Sequence, residues 1–482
     1  MQKIINSFRA FYSPSFPKLI TYMLQSVEYR PGPYLAWFWR TQDFSNVKVR
    51  KELDQTKAAK LILKVLNIGI LAQLLIGLIF IYLSLFDHYV GYWGFGLAII
   101  IAYPVLWSQV ICLPLIAGRL LITGPREKKL IKDSSRIFAN HKGLKIAVAG
   151  SYGKTSMKEL LLSVLAQGKD LAATPANKNV ASSHANFART LSGKEDILII
   201  ELGEGAPGDV AKFAATIRPD MAIITGLAAA HLDRYKTIEA AGKDIFSLYA
   251  VLDKSKIMVN RESPDAAAFI KPDYQTYDRS GALGWKVEKI TSDIRGLKFN
   301  LKKDKKVLKI SSGLIGRHEI GPLSLVAALA SRLGLSEKQI VKGIAQAKPY
   351  EHRMQPYELN GAWVIDDTYN GNIEGIRAGL SLLSELSARH KIYVSPGLVD
   401  QGQETKPVHK LMGELIAQAN PDTVVLMQNS VTGYISEGLK KANFKGRLQI
   451  ETEPLIFYNN LANFVAAGDV VLMQNDWTDN YR

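Results

Sequence analysis

Two long stretches of the chain carry no charged residue. One is residues 65–86, VLNIGILAQLLIGLIFIYLSLF; the other, after Asp87 and His88, is residues 89–118. Each exceeds the roughly 20 apolar residues with which a helix crosses a hydrocarbon layer. A very short polar turn separates them, so the pattern predicts a transmembrane helical hairpin over residues 61–122. Lys and Arg crowd both outer ends (Arg50, Lys51, Lys57, Lys60, Lys64, then Arg119, Arg126, Lys128, Lys129, Lys132) and are missing from the turn. That bias predicts a cytoplasmic, or inner, membrane with both ends of the hairpin and everything after it in the cytoplasm. Residues 1–60 mix aromatics with Arg, Lys and Pro, which suits a membrane-surface segment and equally an ordinary small helical lead-in. So much mixed polar sequence before the first apolar run argues against a cleavable signal.

From Leu144 the pattern changes. Short β-branched runs alternate with helical stretches: KIAVAG, DILIIELG, MAIITG, SKIMVN. Such alternation predicts βαβ units around a mostly parallel sheet. Between Gly284 and Gly316 it gives way to WKVEKI, GLKFNL and VLKISS, which predict a small antiparallel patch. A helical repeat of Ala and Leu follows. WVIDD, KIYVSPG, TVVLMQN, RLQIET and DVVLMQN then form a second α/β set. The expected fold class is α/β, with a central domain over 123–347 and a C-terminal domain over 348–482 behind the hairpin.

Charge and composition narrow the partners. The net charge of +16 fits nucleic acid, anionic lipid or phosphorylated ligands. Because the cations crowd around the apolar runs, membrane lipid is the expected partner and nucleic acid is not. The single cysteine, Cys112, lies in an apolar run; it forms no internal disulfide and leaves no Cys-based metal site.

The chemistry begins at AVAGSYGKTSMKELL, Ala147 to Leu161. An apolar strand ends in a turn bracketed by Gly150 and Gly153, with Ser151 and Tyr152 between them, and Lys154, Thr155 and Ser156 open a helix. Glycines let the backbone curl its N–H groups inward, and the helix adds its positive end. That is a phosphate cradle, in which Lys154 would reach the outer phosphates of ATP and the Thr155 hydroxyl would sit on Mg²⁺. The general P-loop pattern asks for one more glycine, where this chain has Val148.

The short form Gly-x-x-Gly-Lys-Thr-Ser resembles that of the Mur ligases and the related folylpolyglutamate synthetases. Six further segments agree in order: IIELGEGAPGD, GLAAAHLDRY, IMVNRESPD, GRHEIGPLSLVAALA, EHRMQ and IDDTYNGN. The last of these, with a GDVVL strand near the end, is most similar to the branch that adds D-alanyl-D-alanine to a muramyl tripeptide. The resemblance covers about 140–482 and not the membrane part. It implies a P-loop Mur-ligase-type central domain, a Rossmann-like C-terminal α/β domain, and an ATP-dependent ligase joining an amine to a carboxylate through an acyl phosphate in peptidoglycan synthesis. The implied catalytic groups are Lys154, Glu201, His231 and Lys243, with Thr155, Glu201 and His231 on the metal. ATP contacts fall to the turn itself and to Asn260, His318, Arg353 and Asp367. Thr174, Asn177, Asn179, Tyr369 and Asn370 are the implied substrate residues.

The chain also departs from the family pattern. Where a carbamylated lysine is expected it has Gly242, with Lys243 displaced by one residue, about 100° around a helix. Glu319 and Pro322 stand where asparagines are expected, and the TPANKNVASSHANFART loop keeps only part of its motif. At the front, a membrane hairpin replaces the usual UDP-binding domain. The acceptor is therefore expected to be a muramyl-peptide or a lipid-linked acceptor, and the amine D-Ala-D-Ala or a similar one. The rivals are the same chemistry on a poly-γ-glutamyl or folate-like acceptor, and a non-catalytic nucleotide-binding membrane scaffold.

Overall fold

In a computed structural model, the chain divides into two units, residues 1–129 and 130–482. The structure describes all residues except 1–8, 28, 42–43, 45–46, 48–52, 88–89, 176–178, 230–231, 370, 400 and 476–482.

The first unit is helical. Helices Phe16–Ser26 and Pro31–Arg40 each carry proline in the first turn, where its missing N–H costs nothing. Phe16, Tyr34, Phe38 and Phe44 bury themselves against Ile62, Leu66, Ile111 and Cys112, so the lead-in packs onto one end of the hairpin. The hairpin helices are Lys57–Asp87 and Val90–Val110. Both are long and apolar enough to cross a membrane, by length and composition. They pack closely because Gly77 and Gly96 face each other: a Cβ on Gly77 would stand 2.9 Å from the Gly96 carbonyl oxygen. Gln73 donates its side-chain amide to the Ile99 carbonyl at 2.7 Å, a bond between the two helices. Leu71, Leu78 and Ile79 point outward, each more than half exposed.

The second apolar run is not one straight helix. Pro114 has no N–H to offer the Val110 carbonyl, and the regular helical bonding is interrupted at Ile111, which itself keeps helical backbone angles. A short helix Cys112–Gly118, a π-helical turn Arg119–Thr123 and a helix Gly124–Asn140 follow. The unit boundary falls inside this last helix, whose Phe138 is fully buried in the core of the second unit.

In the second unit, among the described residues, ten strands form one sheet. Its parallel part consists of β1 (Leu144–Ala149), β2 (Leu171–Ala173), β3 (Ile197–Glu201), β4 (Met221–Ile224), β5 (Ile257–Asn260) and β6 (Gln275–Asp278). The order along the sheet is β6-β5-β4-β1-β3-β2, so the strand order reverses at β1, where ligands of open α/β sheets bind. β1 is buried on both faces: Ile146 and Val148 join one apolar cluster, Ala147 and Ala149 the other. The expected antiparallel patch is present as β7 (Gly281–Ala282), β8 (Trp285–Asp293), β9 (Gly296–Lys303) and β10 (Lys306–Ser312), added beyond β6.

The second sheet has the order β11-β12-β16-β13-β14-β15. Its strands are β11 (Gln355–Leu359), β12 (Ala362–Asp367), β13 (His390–Ser395), β14 (Thr423–Met427), β15 (Arg447–Glu451) and β16 (Asp469–Gln474). All neighbours are parallel except β11 with β12. Asp367 and Gln474 are register partners at the carboxyl ends of adjacent strands.

Candidate nucleotide and metal site

The turn after β1 is built as its glycines require. Gly150 and Gly153 both have positive φ, at 135° and 71°. A Cβ on Gly150 would meet the Thr225 hydroxyl at 2.3 Å. Ser151 N–H donates to the Gly226 carbonyl at 2.9 Å. The Thr225 hydroxyl donates to the carbonyls of Ala149, at 3.1 Å, and Tyr152. Helix Lys154–Leu165 starts at once, aiming its free N–H groups at the cradle, with Ser156 in its first turn.

Lys154 and Thr155 each face a carboxylate. The Lys154 ammonium bonds both oxygens of Glu204, at 2.8 and 2.6 Å, and the Gly150 carbonyl. The Thr155 hydroxyl lies 3.1 and 3.3 Å from the two oxygens of Glu201. Glu201 ends β3, level with Val148 on β1, so strand register puts its carboxylate beside the turn. Four neighbours hold it. Its N–H bonds the Thr174 hydroxyl at 3.1 Å and its carbonyl accepts from His184 at 2.8 Å. Asn179 donates to its carboxylate at 3.2 Å, and Lys158 lies 3.8 Å from the other oxygen.

Thr155 and Glu201 offer the hard oxygen donors that Mg²⁺ takes. Ser151 Oγ is buried with no hydrogen-bond partner, a polar atom of the kind a phosphate oxygen satisfies. The chemistry of the cradle therefore fits a nucleotide phosphate with its metal.

Asn260, at the end of β5, donates to the Thr225 carbonyl at 3.0 Å and so adjoins the turn. Burial pushes the Tyr152 hydroxyl up to about 12, and the carboxylates of Glu374, Asp265 and Glu262 add to the shift. Glu374 belongs to helix Ile373–Glu385 of the C-terminal domain, so that domain reaches toward the turn. Burial likewise pushes the Asp367 carboxyl up to about 6 despite the Gln474 amide at 2.8 Å, and His318 from the central domain acts on it. Arg353 stands with its guanidinium carbon 4.8 Å from the centre of the Tyr369 ring. Its Nε is buried and has no partner.

The structure thus gathers the turn residues with Glu201, Thr174, Asn179 and Asn260, and brings His318 into electrostatic range of Asp367. Lys243 is a correction. It is 70% exposed and pairs with Glu239 at 2.7 Å, one turn back on helix Ile238–Ile245. The inward position belongs to Gly242, whose missing side chain leaves room for the Phe269 ring. His231, Asn177 and Asn370 lie outside the described residues. After His231, however, Arg234 donates to the Gly205 carbonyl at 3.1 Å and Tyr235 to that of Ala206 at 3.1 Å, tying this turn to the loop after Glu201.

Two residues of the site escaped the sequence reading. Glu204 sits three places after the motif carboxylate and resembles any loop acid. Lys158 looks like an ordinary helix lysine, although its position four residues after Lys154 put it on the same helix face.

The same residues carry family matches. The Mur ligase middle domain matches residues 148–330, and the Mur ligase glutamate ligase domain matches 352–474. The UDP-N-acetylmuramoyl-tripeptide–D-alanyl-D-alanine ligase of Escherichia coli K12 is 25% identical over 328 residues, covering 64% of this chain and 72% of that enzyme. Its Mycobacterium tuberculosis H37Rv counterpart is 24% identical over 368 residues, 71% of this chain and 72% of the relative. Among solved structures, MurF from Acinetobacter baumannii superposes with a TM-score of 0.63 at 21% identity, over 72% of this chain and 77% of that one. The MurF ligase of Thermotoga maritima in complex with ADP gives 0.63 at 21% identity, over 73% and 80%. With both family domains matched in order across the second unit, the chain belongs to the Mur ligase family.

Proposed function

We propose that the protein is a membrane-anchored, ATP-dependent amide ligase of peptidoglycan synthesis. It would join D-alanyl-D-alanine, or a similar amine, to the peptide carboxylate of a muramyl-peptide precursor. The observation that carries this reading is the meeting of Lys154, Thr155 and Glu201 at the carboxyl ends of β1 and β3. The relatives named above as D-alanyl-D-alanine ligases supply the amine and the acceptor.

The work of such a site is positioning and charge neutralisation. The acceptor carboxylate oxygen attacks the γ-phosphorus, the bond to the β–γ bridging oxygen breaks, and ADP leaves. The amine nitrogen then attacks the acyl carbon, phosphate departs with the electron pair of the C–O bond, and the nitrogen gives up its proton to that phosphate or to water. Lys154 and the N–H groups of the turn hold the transferred phosphoryl. Thr155 and Glu201 would hold Mg²⁺, which supplies charge neutralisation between the phosphates and the carboxylate. Arg353, Tyr369 and Asp367, on the C-terminal domain, would clasp the nucleotide and substrate and exclude water when that domain closes.

The apolar outer faces of helices Lys57–Asp87 and Val90–Val110 favour an anchor in lipid, since a soluble monomer rarely exposes so much contiguous apolar surface. Extraction of the full chain by detergent, but not by alkaline carbonate, tests this anchor.

The reaction is tested with the full chain in detergent, supplied with ATP, D-Ala-D-Ala and UDP-linked muramyl tripeptide. Phosphate release should depend on both partners, and Lys154→Ala should abolish it. Release with a poly-γ-glutamyl or folate-like acceptor instead would replace the muramyl reading. Nucleotide binding with no turnover on any acceptor would favour a scaffold.

A further inference from the structure

We propose that Glu204 is an internal anion that competes with the nucleotide's outer phosphate for Lys154. This inference rests on the nucleotide reading of the turn and adds a residue that sets its affinity. An ammonium has three donors. All three of Lys154's are taken, two by the carboxylate oxygens of Glu204 at 2.8 and 2.6 Å and one by the Gly150 carbonyl. A phosphate oxygen reaches this ammonium only by displacing one of them.

The Gly150 carbonyl cannot give way. Its turn is pinned by Ser151 N–H on Gly226 and by the Thr225 hydroxyl on Ala149 and Tyr152. Glu204 lies in the loop that joins β3 to helix Asp209–Ile217, whose backbone is held at Gly203 by Asn179 and at Gly205 by Arg234, so its side chain alone has to turn for the carboxylate to leave the lysine. Glu201, three residues earlier, is fixed by strand pairing and by Thr155, Thr174, Asn179 and His184. The two carboxylates therefore do different work. Glu201 stays at the hydroxyl of Thr155, whereas Glu204 neutralises the lysine and must leave it when a phosphate arrives. Lys154 is 9% exposed and Glu204 6%, so little solvent screens the two anions from one another.

Titration of the full chain with ADP in EDTA, so that no metal contributes, tests the competition. Glu204→Gln keeps the shape of the side chain and removes its charge. It should bind metal-free ADP at least about tenfold tighter than the unmodified chain, a local like-charge contact being worth that much. It should also show a larger rise in unfolding midpoint on adding ADP. Glu337→Gln removes an exposed carboxylate from another helix of the same domain and should stay within about twofold, as a solvent-screened charge does. If Glu204→Gln does not fold, Glu204→Asp carries the test: one methylene shorter, it should tighten binding by a smaller factor. Unchanged or weaker ADP binding in the folded variant overturns the proposal while the unmodified chain still binds. Failure of every folded form to bind ADP overturns the nucleotide reading and the proposal together.

Discussion

Lys158 holds its ammonium, fully buried, 3.8 Å from a carboxylate oxygen of Glu201 and 2.9 Å from the Thr174 carbonyl. It follows Lys154 by four residues, so one helix face delivers both cations to the carboxylates at the end of β3. A buried charge that loses its partner costs about 3–5 kcal/mol, because the remaining ion stays desolvated. Lys158→Met should therefore lower the unfolding midpoint by roughly 6–20 °C, at about 2–4 °C per kcal/mol for a domain of this size. Turnover should fall as well, because Glu201 loses one of the groups that orient it. Scanning calorimetry and a phosphate-release assay read the two effects; an unchanged midpoint would mean that the lysine is not part of this network.

Asp367 titrates where its stability effect has a definite sign. Burial raises its folded value to about 6 from the ordinary 3.8. Below 3.8 both folded and unfolded chains carry the proton, and the group has no effect. Between the two values the unfolded chain binds fewer protons than the folded one, so stability falls as pH rises. Above about 6 the loss is complete. Asp367→Asn should therefore stabilise the protein at pH 7–8 by about 1–2 kcal/mol, discounted for partial exposure, and by nothing below about pH 4. The same variant should lose ligase turnover, since the amide cannot carry the charge. Thermal unfolding across pH checks the sign.

The legible parts of this protein are those whose chemistry is local in sequence. Gly150, Gly153 and Lys154 announce a phosphate cradle because backbone curl and helix start occupy seven consecutive residues. The strands also declare themselves, β1 and β3 through short runs of β-branched residues and β8 to β10 through charged turns between alternating positions. Glu204 was hidden for the opposite reason: its partner Lys154 is 50 residues away and only the pairing of β1 with β3 brings them together. The interruption at Ile111 was hidden inside an unbroken apolar run. Hydropathy sees Pro114 as apolar, while the backbone feels its missing N–H.

Lys243 illustrates how one residue of register decides a role. At 70% exposure, paired with the equally open Glu239, it meets solvent while Gly242 faces Phe269. Lys243→Ala should keep ligase turnover within about twofold, as expected for an exposed pair. Added bicarbonate, the source of a lysine carbamate, should change the rate of neither form. A loss of turnover in the variant that bicarbonate or short carboxylic acids restore would return this lysine to the metal site.

The hairpin offers the last test, because Gly77 on its first helix and Gly94 on its second have different surroundings. A Cβ on Gly77 would meet the Ile100 side chain at 2.5 Å and the Gly96 carbonyl oxygen at 2.9 Å, whereas one on Gly94 would meet nothing within 4 Å. Backbones that approach this closely gain packing and let Gln73 reach the Ile99 carbonyl. Gly77→Leu drives a side chain into that contact, where the backbone oxygen cannot move aside, and overpacking of this kind costs about 1–3 kcal/mol. It should separate the helices, free the Gln73 amide in an apolar layer and lower the unfolding midpoint of the helical unit in detergent micelles. Gly94→Ala should leave that midpoint unchanged or slightly raised, since alanine favours helix and finds open space. Circular dichroism during heating distinguishes the two, and equal midpoints would show that the helices do not pack through Gly77.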